Sequence, residues 1–210
     1  MSGWWTDRVV PHLADRSLSS PQVAQLRREV CAGLTGTVLE LGAGSGRNLP
    51  ELPAAVTAVD VVEPSDVGWR MSEQRRDRAP FPVRRVGLDG QRVDAPDGSY
   101  DHVLCTFTLC TIPDPGRALS EVRRVLRPGG GFAFLEHGLA PTPRTAAWQR
   151  RLDPVQRRLA GGCHLSRDVP ALVRDAGLDL VEVRSEYLPG PRTPWTFGHR
   201  GRAVRPTTPR

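Results

Sequence analysis

Hydrophobic and polar positions follow two alternating periods along this chain. The apolar runs "GTVLELGAG", "AAVTAVDVVEPS", "DHVLCTFTLC" and "GGFAFLEHG" have the length and the flanking glycine or proline of buried strands. Between them, apolar residues recur at three- and four-residue steps. The clearest case is Gly116 to Leu126, where Ala118, Leu119, Val122, Val125 and Leu126 share one helical face and Pro128-Gly129 is placed as the stop. Strands alternating with helices predict a mostly parallel sheet covered on both faces, a doubly wound α/β fold. Near the C-terminus, "GLDLVEVRSEYL" and "TFGHRGRAVR" read as two more strands joined by the Pro/Gly-rich turn from Pro189 to Pro194. Two strands in succession without a helix predict an antiparallel hairpin at a sheet edge.

Composition narrows the picture. The 210 residues suffice for one domain with a true core, and the 39% that are hydrophobic contain no long apolar run. The longest uncharged stretches fall well short of the ~18 residues a membrane helix needs. Asp7 and Arg8 stand where a signal peptide would be apolar, so a cytoplasmic protein is expected. Four cysteines (Cys31, Cys105, Cys110, Cys163) show no paired spacing and are expected as buried thiols in a reducing compartment. The net charge of +6 raises nucleic acid as a partner, but all 29 basic residues are arginine, spread from Arg8 to Arg210 over amphipathic helical patterns. The lack of lysine excludes a Walker A phosphate loop, a Schiff-base lysine and a lysine general base.

The chemistry begins where the first strand ends. Gly42-Ala43-Gly44-Ser45-Gly46 follows it directly, glycines placed where backbone must turn sharply against a ligand. A dinucleotide fingerprint would read G-x-G-x-x-G, with pyrophosphate on the helix N-terminus. Here the third glycine comes one place early, Arg47 takes the fingerprint position, and the strand carries an acid, Glu40. A carboxylate there repels pyrophosphate and suits a cofactor bearing an ammonium and a sulfonium, which disfavours an NAD-dependent oxidoreductase. The second strand ends at Val62-Glu63-Pro64, roughly twenty residues on, where such folds place an acid for two ribose hydroxyls. Pro64 marks the strand end and favours Glu63 over Asp60. Asp89-Gly90 precedes the next apolar run and suits an adenine amine, while Asp97-Gly98 reads as a simple turn.

In "VLELGAGSGRNLP", "VVEPS", "LDGQRVDAPDGSYDHVLCTFTLCTIPDP" and "LRPGGGFAFLEHG", from Thr37 to Gly138, the chain resembles the class I S-adenosylmethionine-dependent methyltransferases. The resemblance implies a seven-stranded sheet with S-adenosyl-L-methionine at the C-terminal strand ends. Glu40, Gly42, Gly44 and Gly46 would border the methionine part, Glu63 would bind the ribose, Asp89 and Gly90 the adenine, and Thr106 would line the floor, with Asn48 and Pro64 also in the cofactor-binding set. The implied organisation is a single domain over 1–210: an N-terminal helical lid (1–35), a cofactor-binding core (36–138), acceptor-side helices and C-terminal strands (139–204), and a tail (205–210).

The acceptor is read partly by exclusion. Thr106-Phe107-Thr108-Leu109 stands where enzymes acting on exocyclic amines of nucleic acid carry an Asn/Asp-Pro-Pro-aromatic motif. No Pro-Cys pair is present for attack on cytosine, and a lysine-containing ribose-methylating tetrad is impossible, so a small molecule rather than nucleic acid is expected. "WTDRVVPHL", "FLEHGLAPTPRTAAWQRRLDPVQRRLAGGCHLSRD" and "GRAVRP" resemble the bacterial relatives of the animal membrane-associated thiol S-methyltransferases. That branch implies S-methylation of a thiol. Its other members leave N- or O-methylation of a small amine, a phospholipid headgroup or a natural-product hydroxyl as the alternative, and a silent cofactor-binding scaffold as another. The animal enzymes carry an apolar N-terminal anchor; this chain shows none, and a soluble enzyme is expected.

A thiol acceptor attacks as the thiolate, and a neutral histidine is the usual proton acceptor. His137, just past the fifth strand, and His164, in the glycine loop "LAGGCHLSRD", are the catalytic candidates. His12 is a third if an N-terminal helix folds over the site, whereas His102 and His199 are placed on strand surfaces. Trp4, Trp5 and Trp148 are candidates for an apolar acceptor wall. Cys163-His164 invites a nucleophile or metal reading. A cysteine nucleophile has no role when the cofactor supplies an activated methyl, and the second pair of ligands for a closed metal site is missing from the local sequence. Cys163 is expected to pack, no metal is expected, and Ser166 and Asp168 are expected to cap the following helix.

Overall fold

The computed structural model describes residues 3–207. Its seven-stranded sheet has the order β3-β2-β1-β4-β5-β7-β6, built from β1 (Gly36–Leu41), β2 (Val56–Val62), β3 (Val83–Gly87), β4 (Tyr100–Thr106), β5 (Leu126–His137), β6 (Asp179–Tyr187) and β7 (Phe197–Val204). The first five strands pair in parallel, and β7 runs antiparallel to both β5 and β6. The C-terminal hairpin therefore closes one edge, as its pattern predicts. β3 is the strand absent from the apolar pattern: "VRRVG" is short and carries Arg84 and Arg85, which reach Asp60 and Asp66.

Parity along the strands sorts side chains onto two cores. On one face Leu39, Leu41, Val103, Phe132 and Phe134 meet Leu119, Val122 and Val125 of α5 (Pro115–Val125) and Val169 and Val173 of α7 (Val169–Asp175). On the other, Val38, Val59, Val61, Leu104 and Leu135 meet Val30 and Cys31 of α2 (Pro21–Cys31). Helix α5 starts because Asp114 accepts the Arg117 N–H and Pro115 fits the first turn. It ends earlier than Pro128-Gly129. Leu126 is already extended, and β5 runs through that pair, with Gly129 at φ 76°.

Of the N-terminal segment, residues 1 and 2 lie outside the described residues. The π-helical turn Trp5–Val9 and α1 (Val10–Ser17) border the cleft at the strand ends, while α2 packs against the sheet. Further along lie α3 (Asp66–Met71), α4 (Glu73–Asp77) and α6 (Pro143–Leu159). The chain is fixed beyond the expected start of the tail: Arg205 N–H donates to Gly130 and its carbonyl accepts from Gly129, both at 2.9 Å. Residues 208–210 of that tail lie outside the described residues. Among the described residues no helix is long and apolar enough to cross a membrane.

Leu119 is wholly buried between α5 and the sheet. Leu119→Ala should lower the unfolding free energy by about 2–5 kcal/mol, read in denaturant titration as an earlier midpoint with unchanged slope.

Candidate functional site

Chain order reverses between β1 and β4, and there the carboxyl ends of the strands open into a crevice. A cavity of about 840 Å³ occupies it, walled by Gly42 and Gly44 after β1, Glu63 after β2 and Thr106 and Phe107 at the end of β4. Pro64, Asp89 and Gly90 also line it. Gly42 has φ +70°, and a Cβ there would overlap the Thr108 side chain, so the loop passes close only because the residue is glycine. Glu63 pins that loop: its Oε2 accepts the Gly44 N–H at 2.6 Å and its Oε1 the Ser65 N–H at 2.7 Å. Burial pushes the Glu63 carboxyl upward, against those two N–H donors.

Three of the expected cofactor-binding residues, Glu40, Gly46 and Asn48, are buried and set behind the cavity wall. Glu40 shares strand parity with Val38, so it points toward α2, where Arg27 approaches. Arg27 Nη1 donates to Asn48 Oδ1 and to Thr106 Oγ1, both at 2.7 Å. Asn48 Nδ2 donates to Glu40 Oε1 at 2.6 Å and to Thr106 Oγ1 at 2.9 Å. Burial pushes Glu40 up to about 7, opposed by the Asn48 hydrogen bond and the Arg27 charge. Burial also pulls Arg27 down. Among the described residues, Glu40 Oε2 and Arg27 Nε have no hydrogen-bond partner.

Arg27, which lines the cavity, was missed in the sequence. Its signal was present: it stands on the buried stripe Val23, Arg27, Val30, Cys31 of α2, where a charge needs a reason. Asp15 was missed too. It accepts Arg47 Nε at 2.6 Å and Nη2 at 2.7 Å, together with the Ser45 hydroxyl, and so ties α1 to the glycine loop. The Arg47 hydrogen bonds pull Asp15 below the usual carboxylate range.

The histidines fall elsewhere. Among the described residues no histidine lines the cavity. His164 Nδ1 lies 3.2 Å from Asp153 Oδ2, and Asp153 also accepts the Leu165 N–H at 2.5 Å and the Ser166 hydroxyl at 3.0 Å. Asp153 thereby fastens the glycine loop to α6, and burial pulls His164 below its usual value. Asp168 caps α7 by accepting the Ala171 N–H, but Ser166, expected beside it, is spent on Asp153. His137 lies against the Phe107 ring, centroids 5.1 Å apart, and beside Cys163. Cys163 is buried and next to Cys110. The interaction between the two thiols raises Cys110 and draws Cys163 down. His12 is exposed and outside the cavity wall, as are Trp4, Trp5 and Trp148. His102 is partly exposed, whereas His199 is buried, held by the Ser185 hydroxyl and the Leu139 carbonyl.

A methyltransferase-domain family model matches residues 39–134, the span of this glycine loop and its two acids. Over 180 residues the chain is 36% identical to thiol S-methyltransferase TMT1A of Homo sapiens, covering 80% of this chain and 73% of that protein. The chain belongs to the class I S-adenosylmethionine-dependent methyltransferases. The rat thiol S-methyltransferase TMT1B is 35% identical over 159 residues, 74% of this chain and 64% of the rat protein, so this methyltransferase spans somewhat under two thirds of that relative. A solved S-adenosylmethionine-dependent methyltransferase of Methanosarcina mazei shares the fold, with TM-score 0.65 at 18% identity over 82% of this chain and 93% of that one.

The cofactor of this methyltransferase is S-adenosylmethionine, and the residues fit it. Glu63 stands on the cavity wall, and each of its oxygens keeps a lone pair for a hydroxyl, while Glu40 Oε2, behind that wall, is buried without a partner among the described residues. Glu63→Ala should weaken S-adenosylhomocysteine binding about ten- to a hundredfold in calorimetry, as loss of hydrogen bonds to a charged group does. A second expectation concerns pH. Burial holds the Glu40 proton in the fold to about pH 7, whereas an open-chain glutamate loses its proton near 4.5. Between those values the folded state binds more protons than the unfolded, so the contribution of Glu40 to stability falls as pH rises. Denaturation of cofactor-free Glu40→Gln should accordingly gain on the parent from about pH 4.5 to 7 and run parallel outside that window.

Proposed function

We propose that this methyltransferase S-methylates a small thiol in the cytoplasm, with no nucleic acid partner. The carrying observation is the ionisable wall of the cavity. It comprises Arg8, Arg27 and Arg47 and the carboxylates of Asp15, Glu63, Asp66 and Asp89, with no histidine among the described residues. All four carboxylates already hold donors: Arg47 and Ser45, two backbone N–H groups, Arg85, and Gln91. An alkylammonium acceptor, with pKa about 10.4, stays protonated at neutral pH and needs a base that this wall lacks. A thiol near pKa 8.5 is already a few per cent thiolate, and the arginines favour that form. The similarity to thiol S-methyltransferases supports the same reading, and four free, buried cysteines suit a reducing compartment.

Bound in this cavity, S-adenosylmethionine supplies an electrophilic methyl carbon on a sulfonium. The chain's own share is orientation, which supplies much of the rate in a displacement of this kind. Glu63 and the glycine loop hold one end of the cavity, and Arg27 and Thr106 fix the floor. The Asp15 link to Arg47 makes α1 a lid over the mouth. The acceptor thiol would give up its proton to solvent before attack, and methyl transfer would leave a thioether and S-adenosylhomocysteine as products. His164 acts by positioning the glycine loop through Asp153, and the role of His137 follows below.

The test is a mass-spectrometric screen with methyl-labelled S-adenosylmethionine and a panel of thiols, amines and phenols. Labelled thioether, formed faster as pH rises toward the thiol's own pKa, is the expected product. Label reaching amines or phenols and never a thiol would exclude this reading. Cofactor bound with no transfer at all would leave a binding scaffold.

A further inference from the structure

Behind the cavity wall, three segments bring soft donors together. Cys110 comes from the turn after β4, His137 from the last position of β5, and Cys163 from the loop after α6. Each offers one donor atom, and the three atoms lie within 4.8 Å of one another. Their backbones are fixed independently of any ligand. The His164 N–H donates to the Cys110 carbonyl at 2.7 Å, the Cys110 N–H to Glu136 Oε2 at 3.3 Å, and His137 stays in the β5–β7 ladder. His137 Nδ1 is buried without a hydrogen-bond partner among the described residues.

From this constellation we infer that Cys110, His137 and Cys163 are three ligands of a soft divalent cation of the zinc class. Zinc–sulfur and zinc–nitrogen bonds of about 2.3 and 2.0 Å in a tetrahedron put donor atoms about 3.5–3.8 Å apart. The side chains thus need to close by at most about 1.3 Å, which rotation about the Cα–Cβ bonds supplies. Two thiolates and a neutral imidazole balance the cation's charge. The other charges facing the cluster, Arg167 and Glu136, are of opposite sign. Three protein donors of this type leave a fourth position open to an outside ligand. Thr111 and Gly161, close in the chain to two of the ligands, and Phe107, whose ring lies on His137, all line the cavity, so the site borders the reaction chamber. The site stands whether the acceptor is a thiol or not.

Cobalt(II) titration of the reduced, metal-stripped protein tests it, with all four cysteines first confirmed as free thiols. One equivalent should bind, giving thiolate-to-cobalt charge-transfer and tetrahedral visible bands that zinc abolishes. Cys110→Ser, Cys163→Ser and His137→Ala should each weaken binding at least tenfold while circular dichroism and S-adenosylhomocysteine affinity hold. Cys31→Ser, buried elsewhere, should change none of this. Absence of the bands in fully reduced protein would overturn the site, and so would bands that persist in both cysteine variants.

Discussion

A buried arginine and a buried glutamate, joined through one asparagine, hold the switch point of this sheet together. Arg27, Asn48, Glu40 and Thr106 come from α2, the loop after β1, β1 itself and β4. Strand parity leaves no choice about where Glu40 points, and its burial is unfavourable enough to move its pKa toward neutrality. Such a network is a poor device for stability alone, since well-packed apolar residues in its place often do as well or better. What it provides is position. It locks the first strand to the fourth at their carboxyl ends, where the crevice opens. It also leaves one acidic oxygen and one guanidinium nitrogen unsatisfied.

The legible parts of this protein were the local ones. The glycine loop, the strand-end acids and the hairpin each depend on residues within a few positions of one another, so period and spacing reveal them. β3 escaped because its two arginines interrupt the apolar run and find their partners across the sheet edge. The end of α5 was misplaced because Pro128-Gly129 serves inside β5 instead of stopping a helix. Arg27 was readable in principle as a charge on an apolar stripe. The companions of Cys163 were not readable by spacing, because Cys110 and His137 stand on other segments and only the fold brings them near. His164, its sequence neighbour, turns instead to Asp153. His199 looks like a surface residue from its strand, yet the loop after β5 and the β6 edge cover it.

Phe107 is where these two centres meet. It is the one non-glycine residue with positive φ (54°) among the described residues, a conformation that costs on the order of 1–3 kcal/mol and persists only where surroundings impose it. The imposition is visible. Its N–H donates to Leu135 at 2.8 Å, which continues the β4–β5 ladder, while the next residue, Thr108, is drawn back to Glu136 and Gly42. The strained turn sets the ring between two groups. The Arg27 guanidinium lies 5.3 Å from its centroid on one side of the site, and the His137 ring lies 5.1 Å away toward the cysteines. A relaxed backbone would carry the ring out of this position. The strain therefore maintains an aromatic partition between the buried polar network and the sulfur cluster, with the cavity reaching its edge. One displaced side chain at a strand end keeps the cationic floor and the soft donors apart, yet both within reach of the same chamber.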